Sequence, residues 1–249
     1  MLGAYVKREL RLGFLAIPWP LVNFFRLRAL HNRRGLKVHV GCGEDRLPGF
    51  VNMDCRLTSA TDATMDLSEL DIFAPGRVDC FFSNAFLEHL YRMQRLPHLR
   101  SVCRALDPAR GFACYIGLPY FPNIAKFYLE RAPGTAGPVF DLYNVYRYTH
   151  GDPEQAPDWW LEQLHKSLFD DQELETLLAA AGFASWAIFC YSFPGDYNEM
   201  PINTGFYATV SSEVAGSIKE ACLNFLGSLG ELRDKKIRLD SIEFLRVSI

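Results

Sequence analysis

The sequence predicts one α/β domain with a mostly parallel sheet and helices on both faces of that sheet. Two observations carry this prediction. Short apolar runs rich in strand-forming residues alternate along the chain with segments of helical spacing, an order that is typical of parallel sheets. The chain is also long enough to bury a sizeable core, since it has 249 residues of which 49% are hydrophobic.

Seven strands and several helices follow from the apolar pattern. The predicted strands cover 36–40, 50–53, the end of 61–67, 78–83, 112–118, 186–190 and 205–210. Helical spacing marks residues 87–106, where Pro97 is expected to divide the segment into two helices or to open the second. A further helix begins beside Asp170 and ends at Gly182.

Residues 1–35 form a basic, apolar arm before this domain. The arm holds seven Lys and Arg residues against one Glu, although the whole chain has a net charge of −3. Its apolar stretch is too short to cross a bilayer, which takes roughly 20 residues. Two interpretations stay open: a helical arm packed on the domain, or a peripheral contact with an anionic membrane surface.

The seven cysteines predict a reduced, cytoplasmic protein. No two of them stand in Cys-x-x-Cys spacing, and no Cys/His group has the spacing of a zinc finger. An odd, scattered set is typical of free thiols in a core rather than of a disulfide framework. No metal site is predicted from the sequence.

The most informative segment is a strand that ends in a Gly-x-Gly turn. Gly41 and Gly43 follow the first predicted strand, and Asp54 ends the second. Glycines let a ligand approach the backbone, and a carboxylate at a strand end accepts hydrogen bonds from ribose hydroxyls. A dinucleotide site fits less well, because Arg46 stands where its third glycine belongs and its acidic residue lies about 20 residues further on. The segment indicates an adenosyl ligand without a pyrophosphate.

Together with three further stretches, this segment resembles the class I S-adenosylmethionine-dependent methyltransferases, specifically the type 11-like group with a shortened glycine loop. The stretches are 38–54, Asp66-Leu67, the Ser-Asn-Ala-Phe-Leu-Glu-His-Leu run at 83–90, and 165–183. They lie within a domain at 36–211. The resemblance implies a Rossmann-like fold of seven strands and S-adenosyl-L-methionine as the cofactor.

The resemblance also implies site residues, position by position. Those implied to bind the cofactor are Gly41, Cys42, Gly43, Asp54, Asp66, Leu67 and Asn84. The candidates for a general base or a substrate contact are His89, His165 and Tyr120. Each candidate has a structural alternative, since His89 can orient a loop, His165 can bond at a helix entrance and Tyr120 can form a pocket wall.

Two features depart from the family pattern. His39 stands where many members have an acidic residue, and only residues 44–50 separate the glycine turn from the next strand. A crossover helix needs more room, so the first helix is expected to be missing or reduced to a turn. We hypothesise that the arm at 1–35 covers the sheet face which this helix would have covered.

Residues 119–168 contain many aromatic side chains and show no clear period. A connection of this length after the fifth strand indicates a lid or a substrate-recognition insert. A structural subdomain, or a packing surface for a second copy in a homodimer, is the alternative. Residues 212–249 predict an amphipathic helix and an added edge strand.

The expected activity is transfer of a methyl group to an oxygen or nitrogen of a small molecule or saccharide, since aromatic faces suit sugars and planar groups. The acidic balance of residues 36–249 does not favour a nucleic-acid partner. Two other classes stay open. One is a catalytically silent, cofactor-binding scaffold, and the other is a nicotinamide-dependent oxidoreductase, which Arg46 and the short spacing disfavour.

Overall fold

The computed structural model contains an eight-stranded sheet with helices on both faces. It describes residues 18–132, 139–151, 164–193, 200–212, 215–229 and 237–248. The strands are β1 (Leu36–Val40), β2 (Val51–Asp54), β3 (Ala63–Thr64), β4 (Val78–Asn84), β5 (Phe112–Pro119), β6 (Ser185–Tyr191), β7 (Asn203–Thr209) and β8 (Glu243–Ser248). The helices are α1 (Trp19–His31), α2 (Arg92–Ala105), α3 (Phe121–Leu129), α4 (Leu142–His150), α5 (Asp171–Ala181) and α6 (Ala215–Ser228), with short 3-10 helices at Leu87–His89 and Leu239–Ser241.

The strand order across the sheet is β3-β2-β1-β4-β5-β7-β6-β8. Strands β1 to β5 pair in parallel, whereas β7 runs antiparallel between β5 and β6. β8 pairs antiparallel with β6, so the sheet has eight strands rather than the predicted seven. The predicted Rossmann-like fold with a mostly parallel sheet is confirmed. The additional strand lies where the sequence favoured an edge strand.

The two faces of the sheet are buried under different helices. Phe81 and Phe82 are successive residues of β4, and their side chains point to opposite faces because strand side chains alternate. Phe81 belongs to a core that includes residues of α2 and α5. Phe82 belongs to a second core that includes residues of α6. The C-terminal helix therefore closes one face of the sheet.

Residues 41–50, which connect β1 to β2, form turns and no helix. A mostly buried polar group holds these turns in place, and we call it the Asn52 cluster (His39, Arg46, Leu47, Asn52 and Asp62). The Asn52 side chain accepts from the Leu47 backbone N–H at 2.9 Å and donates to Leu47 O at 3.2 Å. The Asp62 carboxylate accepts from both the backbone and the side chain of Asn52, and from Arg46 at 2.7 Å. The expected absence of the first helix is confirmed, and these hydrogen bonds stabilise the loop in its place.

His39 is the residue that departs from the family pattern, and it anchors this cluster. Its side chain is buried, and Nδ1 donates to the Asn52 side-chain oxygen at 3.2 Å. Burial lowers the pKa of His39 to about 4, so the imidazole is neutral at neutral pH. At this position the protein therefore has an uncharged structural donor.

The described part of the N-terminal arm, α1, lies against the edge strand β3. Asn23 donates to the Thr64 carbonyl at 2.7 Å and accepts the Thr64 backbone N–H at 2.8 Å. The Trp19 indole donates to the Thr64 hydroxyl at 3.1 Å. Among the helices within the described ranges, none is long and apolar enough to cross a membrane.

The hypothesis that the arm replaces the missing helix is wrong for the part of the arm that the structure describes. Leu30 of α1 enters the core that also contains α2. A right-handed β1–β2 crossover would lie on the opposite face from α2, because the two crossovers run in opposite directions across the sheet. On that opposite face the loop residues Leu47 and Phe50 pack in the core closed by α6.

Two predicted segments differ in detail from the structure. In 87–106 the break falls at Leu90 and Tyr91, and Pro97 lies inside α2 instead of at the break. The insert after β5 contains α3 and α4, which pack around a small core of Ile124, Phe140 and Ile202. Trp159 and Trp160, two aromatic residues of the insert, lie outside the described residues.

Candidate functional site

The carboxyl ends of β1, β2 and β4 meet at one edge of the sheet. The strand order reverses there, because β2 and β3 extend from β1 in one direction while β4 and β5 extend in the other. Ligands of open α/β sheets bind in the crevice at such a switch point. Gly41, Asp54 and Asn84 stand at these three strand ends. The structure thus brings together the residues whose association the sequence could only suggest.

Asp54 links the glycine turn to the end of β2. Its Oδ2 accepts the Gly43 backbone N–H at 2.8 Å, and its Oδ1 accepts the Arg56 backbone N–H at 2.8 Å. The Arg56 guanidinium lies 3.5 Å from the same Oδ1. A carboxylate has about four lone-pair positions, so these contacts leave acceptor capacity for a ligand.

The two glycines of the turn serve different purposes. Both have positive φ, +68° at Gly41 and +54° at Gly43, which disfavours any residue with a side chain. A Cβ on Gly41 would lie 2.8 Å from two carbon atoms of Phe86, whereas a Cβ on Gly43 would meet nothing within 4 Å. Gly41 therefore permits close packing, and Gly43 faces open space of the kind a ligand needs.

Cys42, between the two glycines, points away from this open space. Its side chain is buried with Sγ 4.0 Å from the Thr61 hydroxyl, and its backbone N–H donates to Met53 O. Burial raises the pKa of the thiol to about 12. Only the backbone of Cys42 is placed to contact a ligand at the turn.

Asp66 and Leu67 occupy the loop after β3. Asp66 is exposed, and its Oδ1 accepts the Ser68 backbone N–H at 2.9 Å, as in an Asx turn. Leu67 is buried, and its carbonyl accepts from His98 Nδ1 at 2.7 Å. The other ring nitrogen of His98, Nε2, accepts from the Tyr115 hydroxyl at 2.7 Å. Burial lowers the pKa of His98 to about 4, which keeps this neutral arrangement at neutral pH.

His98 is thus a positioning residue that sequence reasoning missed. It connects α2 and β5 to the backbone of the loop whose Leu67 is expected to contact the adenine. In the sequence, His98 is visible only as a histidine on the buried side of a helix. Its position there does not distinguish a histidine that fills the core from one that holds a loop at the site.

At the end of β4 the backbone itself is unusual. Ala85 has φ +56°, a conformation that costs about 1 kcal/mol for a residue with a Cβ. On the neighbouring strand, a Cβ on Gly117 would lie 2.7 Å from Asn84 Oδ1 and 2.7 Å from the Ala85 nitrogen. Gly117 therefore leaves room for the Asn84 side chain, and strain of this type is common beside ligand sites.

A second group of side chains begins four residues beyond Asn84, and we call it the histidine cluster (Glu88, His89 and His165). One ligand-capable atom from each residue lies within 4.8 Å of the others. Glu88 Oε1 is 3.7 Å from His89 Nε2, and the two imidazole centroids are 5.3 Å apart. The cluster joins the loop after β4 to the last residues of the aromatic insert.

Backbone carbonyls set the tautomers of both histidines. His89 Nδ1 lies 3.2 Å from Leu164 O, and His165 Nδ1 lies 2.9 Å from Tyr148 O. A carbonyl oxygen can only accept, so each Nδ1 carries the proton in the neutral ring. Nε2 of each ring is left as a lone-pair donor.

The histidine cluster is buried and only partly hydrogen-bonded. Burial lowers the pKa of His89 to about 4, with a smaller contribution from neighbouring His165, and burial raises the pKa of Glu88 to about 8. Burial also lowers the pKa of His165. Both Glu88 carboxylate oxygens lack a hydrogen-bond partner although the residue is 0% exposed. The 3.7 Å contact between Glu88 and His89 is therefore a contact of two neutral groups at neutral pH.

Tyr120, the third catalytic candidate, already has a partner. Its hydroxyl donates to Asp171 Oδ1 at 3.1 Å, and Arg246 pairs with the same carboxylate and with Glu175. Burial, and then the charge of Asp171, raises the pKa of Tyr120 above its usual range. The geometry makes Tyr120 a link between β5, α5 and β8.

No protein-family model matches this chain, and no curated protein matches it. Several solved structures are similar to this chain. A S-adenosylmethionine-dependent methyltransferase from Archaeoglobus fulgidus is 14% identical with a TM-score of 0.47, covering 76% of this chain and 93% of that one. A possible histamine N-methyltransferase from Thermotoga maritima is 11% identical with a TM-score of 0.44, covering 78% and 90%. The 1,6-didemethyltoxoflavin-N1-methyltransferase of Burkholderia thailandensis, solved with S-adenosylhomocysteine, is 14% identical with a TM-score of 0.43, covering 84% of each chain.

Proposed function

We propose that this chain is an S-adenosylmethionine-dependent methyltransferase that acts on an oxygen or nitrogen atom of a small molecule or saccharide. The observation that carries the proposal is the glycine turn hydrogen-bonded to Asp54 at the switch point of the sheet. A pyrophosphate would need a helix N-terminus behind the turn, and residues 41–50 contain none. An adenosyl group needs backbone clearance and a carboxylate, and Gly43 and Asp54 supply them.

The residues present fit this cofactor. Asp54 would hold the ribose hydroxyls, Leu67 would lie beside the adenine, and Asn84 would lie near the sulfonium. When bound, S-adenosylmethionine supplies an electrophilic methyl group. The contribution of the chain is to align the acceptor with that group and to exclude water.

The histidine cluster would handle the proton that the acceptor loses. His89 is neutral at neutral pH, and its Nε2 lone pair can accept a proton. His165 has the same tautomer and contacts His89. Tyr120 is assigned a positioning role instead, because its hydroxyl donates to Asp171 and its raised pKa makes deprotonation harder.

Cofactor binding is tested by a matched pair of glycine variants. Gly43→Ala and Gly49→Ala both place a methyl group in open space at positive φ, so each has a similar backbone cost of about 1 kcal/mol. Of these two glycines, only Gly43 is hydrogen-bonded to Asp54. In isothermal titration with S-adenosylmethionine we expect Gly43→Ala to weaken binding by at least about tenfold and Gly49→Ala to leave it near wild type.

Titration with NAD and S-adenosylhomocysteine completes this test. Binding of NAD alone would overturn the proposal in favour of an oxidoreductase. Turnover is then measured with a methyl-labelled donor on panels of hydroxylated and aminated small molecules and sugars. Donor binding without transfer to any acceptor would support the silent scaffold instead.

A further inference from the structure

The histidine cluster offers more ligand atoms than the surrounding protein uses. Two carboxylate oxygens of Glu88 and the Nε2 atoms of His89 and His165 have no hydrogen-bond partner among the described residues. We propose that this cluster binds a divalent transition-metal ion of the zinc class, with one ligand from each residue and one coordination position left open.

The set of donor atoms is suited to such an ion. Two imidazole nitrogens and one carboxylate oxygen are the three protein ligands found in many open zinc sites, and the same set also suits ferrous iron. Calcium and magnesium prefer oxygen ligands alone. The ion expected here is therefore a borderline transition metal.

The groups around the ligands hold them as metal ligands are usually held. In metal sites, the ring nitrogen that does not bind the ion commonly donates to a backbone carbonyl or a carboxylate. Both histidines do this, His89 to Leu164 O and His165 to Tyr148 O. The segment that presents His165 is itself fixed, since the Lys166 N–H donates to the Glu88 carbonyl at 2.7 Å and the Ser167 hydroxyl donates to the Leu90 carbonyl at 2.8 Å.

Electrostatics favour an ion here. A buried carboxyl group without a hydrogen-bond partner is costly in a medium of low polarity, and a directly bound divalent cation that displaces its proton supplies the missing partner. Two cations lie close enough to influence the cluster, Lys166 and Arg56. Lys166 Nζ is 4.8 Å from the centre of the Tyr91 ring, and the Arg56 guanidinium lies beside Asp54, so neither neutralises Glu88.

The distances require a small closure. Ligand atoms bound tetrahedrally to one ion at about 2.1 Å lie about 3.4 Å apart. The Glu88 and His89 atoms, at 3.7 Å, are close to this separation, while the full set spans up to 4.8 Å. A closure of about 1.4 Å in the widest separation, shared among the three side chains, would complete the coordination.

The open coordination position of the ion would bind the acceptor, an interpretation that rests on the proposed function. The cluster begins four residues after Asn84, the residue expected near the sulfonium, so an acceptor bound to the ion would lie beside the cofactor. A zinc-class ion binds oxygen and nitrogen ligands and makes a bound hydroxyl more acidic. Because such an ion would occupy the Nε2 lone pairs of both histidines, it would replace His89 as the group that promotes proton loss from the acceptor. The preferred acceptor would then be a hydroxyl compound that chelates or coordinates the metal.

The test measures metal binding directly on the full chain. Protein stripped with a chelator is titrated with zinc and, separately, with cobalt(II), whose visible spectrum reports the ligand type. Wild type is compared with Glu88→Gln, His89→Gln and His165→Gln. The controls are His150→Gln, from the neighbouring helix, and Cys55→Ser, which removes the exposed thiol.

We expect one metal equivalent per chain, binding at least about tenfold weaker in each cluster variant, and unchanged binding in both controls. Circular dichroism of each variant separates loss of ligand from loss of fold. Wild-type affinity in the folded cluster variants, loss of binding in a control, or a thiolate band in the cobalt spectrum would each overturn the site. Titration with S-adenosylmethionine is run in parallel, so a failed metal site and a failed methyltransferase proposal give different results.

Discussion

The Asn52 cluster and the histidine cluster both contain buried polar side chains, yet only the first is internally satisfied. Asn52 uses its side-chain oxygen and both amide hydrogens on His39, Leu47, Phe50 and Asp62. Glu88 has two buried carboxylate oxygens with no hydrogen-bond partner. The first cluster has every feature of a structural network, and the second has a deficit that a ligand can fill.

This contrast teaches how to separate the two uses of a buried histidine. His98 has both ring nitrogens engaged by protein groups, Nδ1 by the Leu67 carbonyl and Nε2 by the Tyr115 hydroxyl, and its neutral state serves the fold. His89 is equally neutral but presents a lone pair at Nε2. The pKa does not distinguish the two histidines, because burial lowers it to about 4 in both. The hydrogen-bond partners do.

The largest expected effect is the response of stability to acid. His39 and His98 have a pKa of about 4 when folded against 6.5 when unfolded, so between these values the unfolded chain binds protons that the folded chain does not. Their contribution is complete above pH 6.5 and is lost as the pH falls towards 4. We expect each histidine to account for a loss of about 2 kcal/mol in the free energy of unfolding between pH 7 and pH 5, measured by urea unfolding at pH 7, 6 and 5. In His98→Gln, the slope of this free energy against pH should correspond to about one fewer proton taken up on unfolding. An unchanged slope would contradict the assignment.

The next effect concerns the satisfied cluster. Asn52→Leu keeps the approximate volume but leaves the Leu47 N–H and His39 Nδ1 without their acceptor. It also removes one of the donors to the Asp62 carboxylate, which keeps Arg46 and the backbone N–H of residue 52. We expect a loss of about 3 kcal/mol in the free energy of unfolding. Asn224→Ala, at an exposed position of α6, is the control and should change stability by less than about 0.5 kcal/mol. A similar small change for Asn52→Leu would mean that the loop is held by other contacts.

Replacing a buried polar side chain by leucine should raise, not lower, the free energy of unfolding in the histidine cluster. In chelator-treated protein, Glu88→Leu removes a buried carboxyl that has no partner, so we expect stability to rise by about 1–2 kcal/mol. Denaturant unfolding of Glu88→Leu is compared with that of Glu220→Leu, an exposed position on α6. A loss as large as that of Asn52→Leu would show that Glu88 is satisfied after all.

The smallest effect on stability is expected in the arm. Leu21, Phe24 and Phe25 of α1 are 48%, 54% and 60% exposed, which leaves an apolar strip beside basic residues. The double variant Phe24→Ser and Phe25→Ser should change the free energy of unfolding by less than about 0.5 kcal/mol. It should reduce sedimentation with anionic vesicles by at least about twofold and leave that with neutral vesicles unchanged. Equal sedimentation with anionic vesicles would exclude a membrane role for this strip.

The fold could be predicted from the sequence because its signals are local. Apolar runs such as 36–40 and 78–83 and the Gly182 stop appear at the expected positions, and the short loop after Gly43 excluded a crossover helix without any structure. The helices α3 and α4 could not be predicted. Their apolar faces pack on Ile202 from a distant segment, so the reason for their pattern lies outside the insert.

The glycine turn and Asp54 were also readable, because their spacing fits within 14 residues. The histidine cluster was not, since His89 and His165 are 76 residues apart and meet only through the fold. The expectation of no metal ligand set considered sequence neighbours such as Cys-x-x-Cys. The unpartnered state of Glu88 is a property of three-dimensional packing, which no spacing in the chain reveals.

The contact of Asn23 with Thr64 has a consequence for association between molecules. β3 has only two residues and stands at the edge of the sheet, where unpaired backbone groups can recruit a strand from another chain. The Asn23 amide occupies both the N–H and the carbonyl of Thr64, much as a neighbouring strand would. A chain that lost α1 would expose this edge, so the arm protects the sheet from edge-to-edge aggregation.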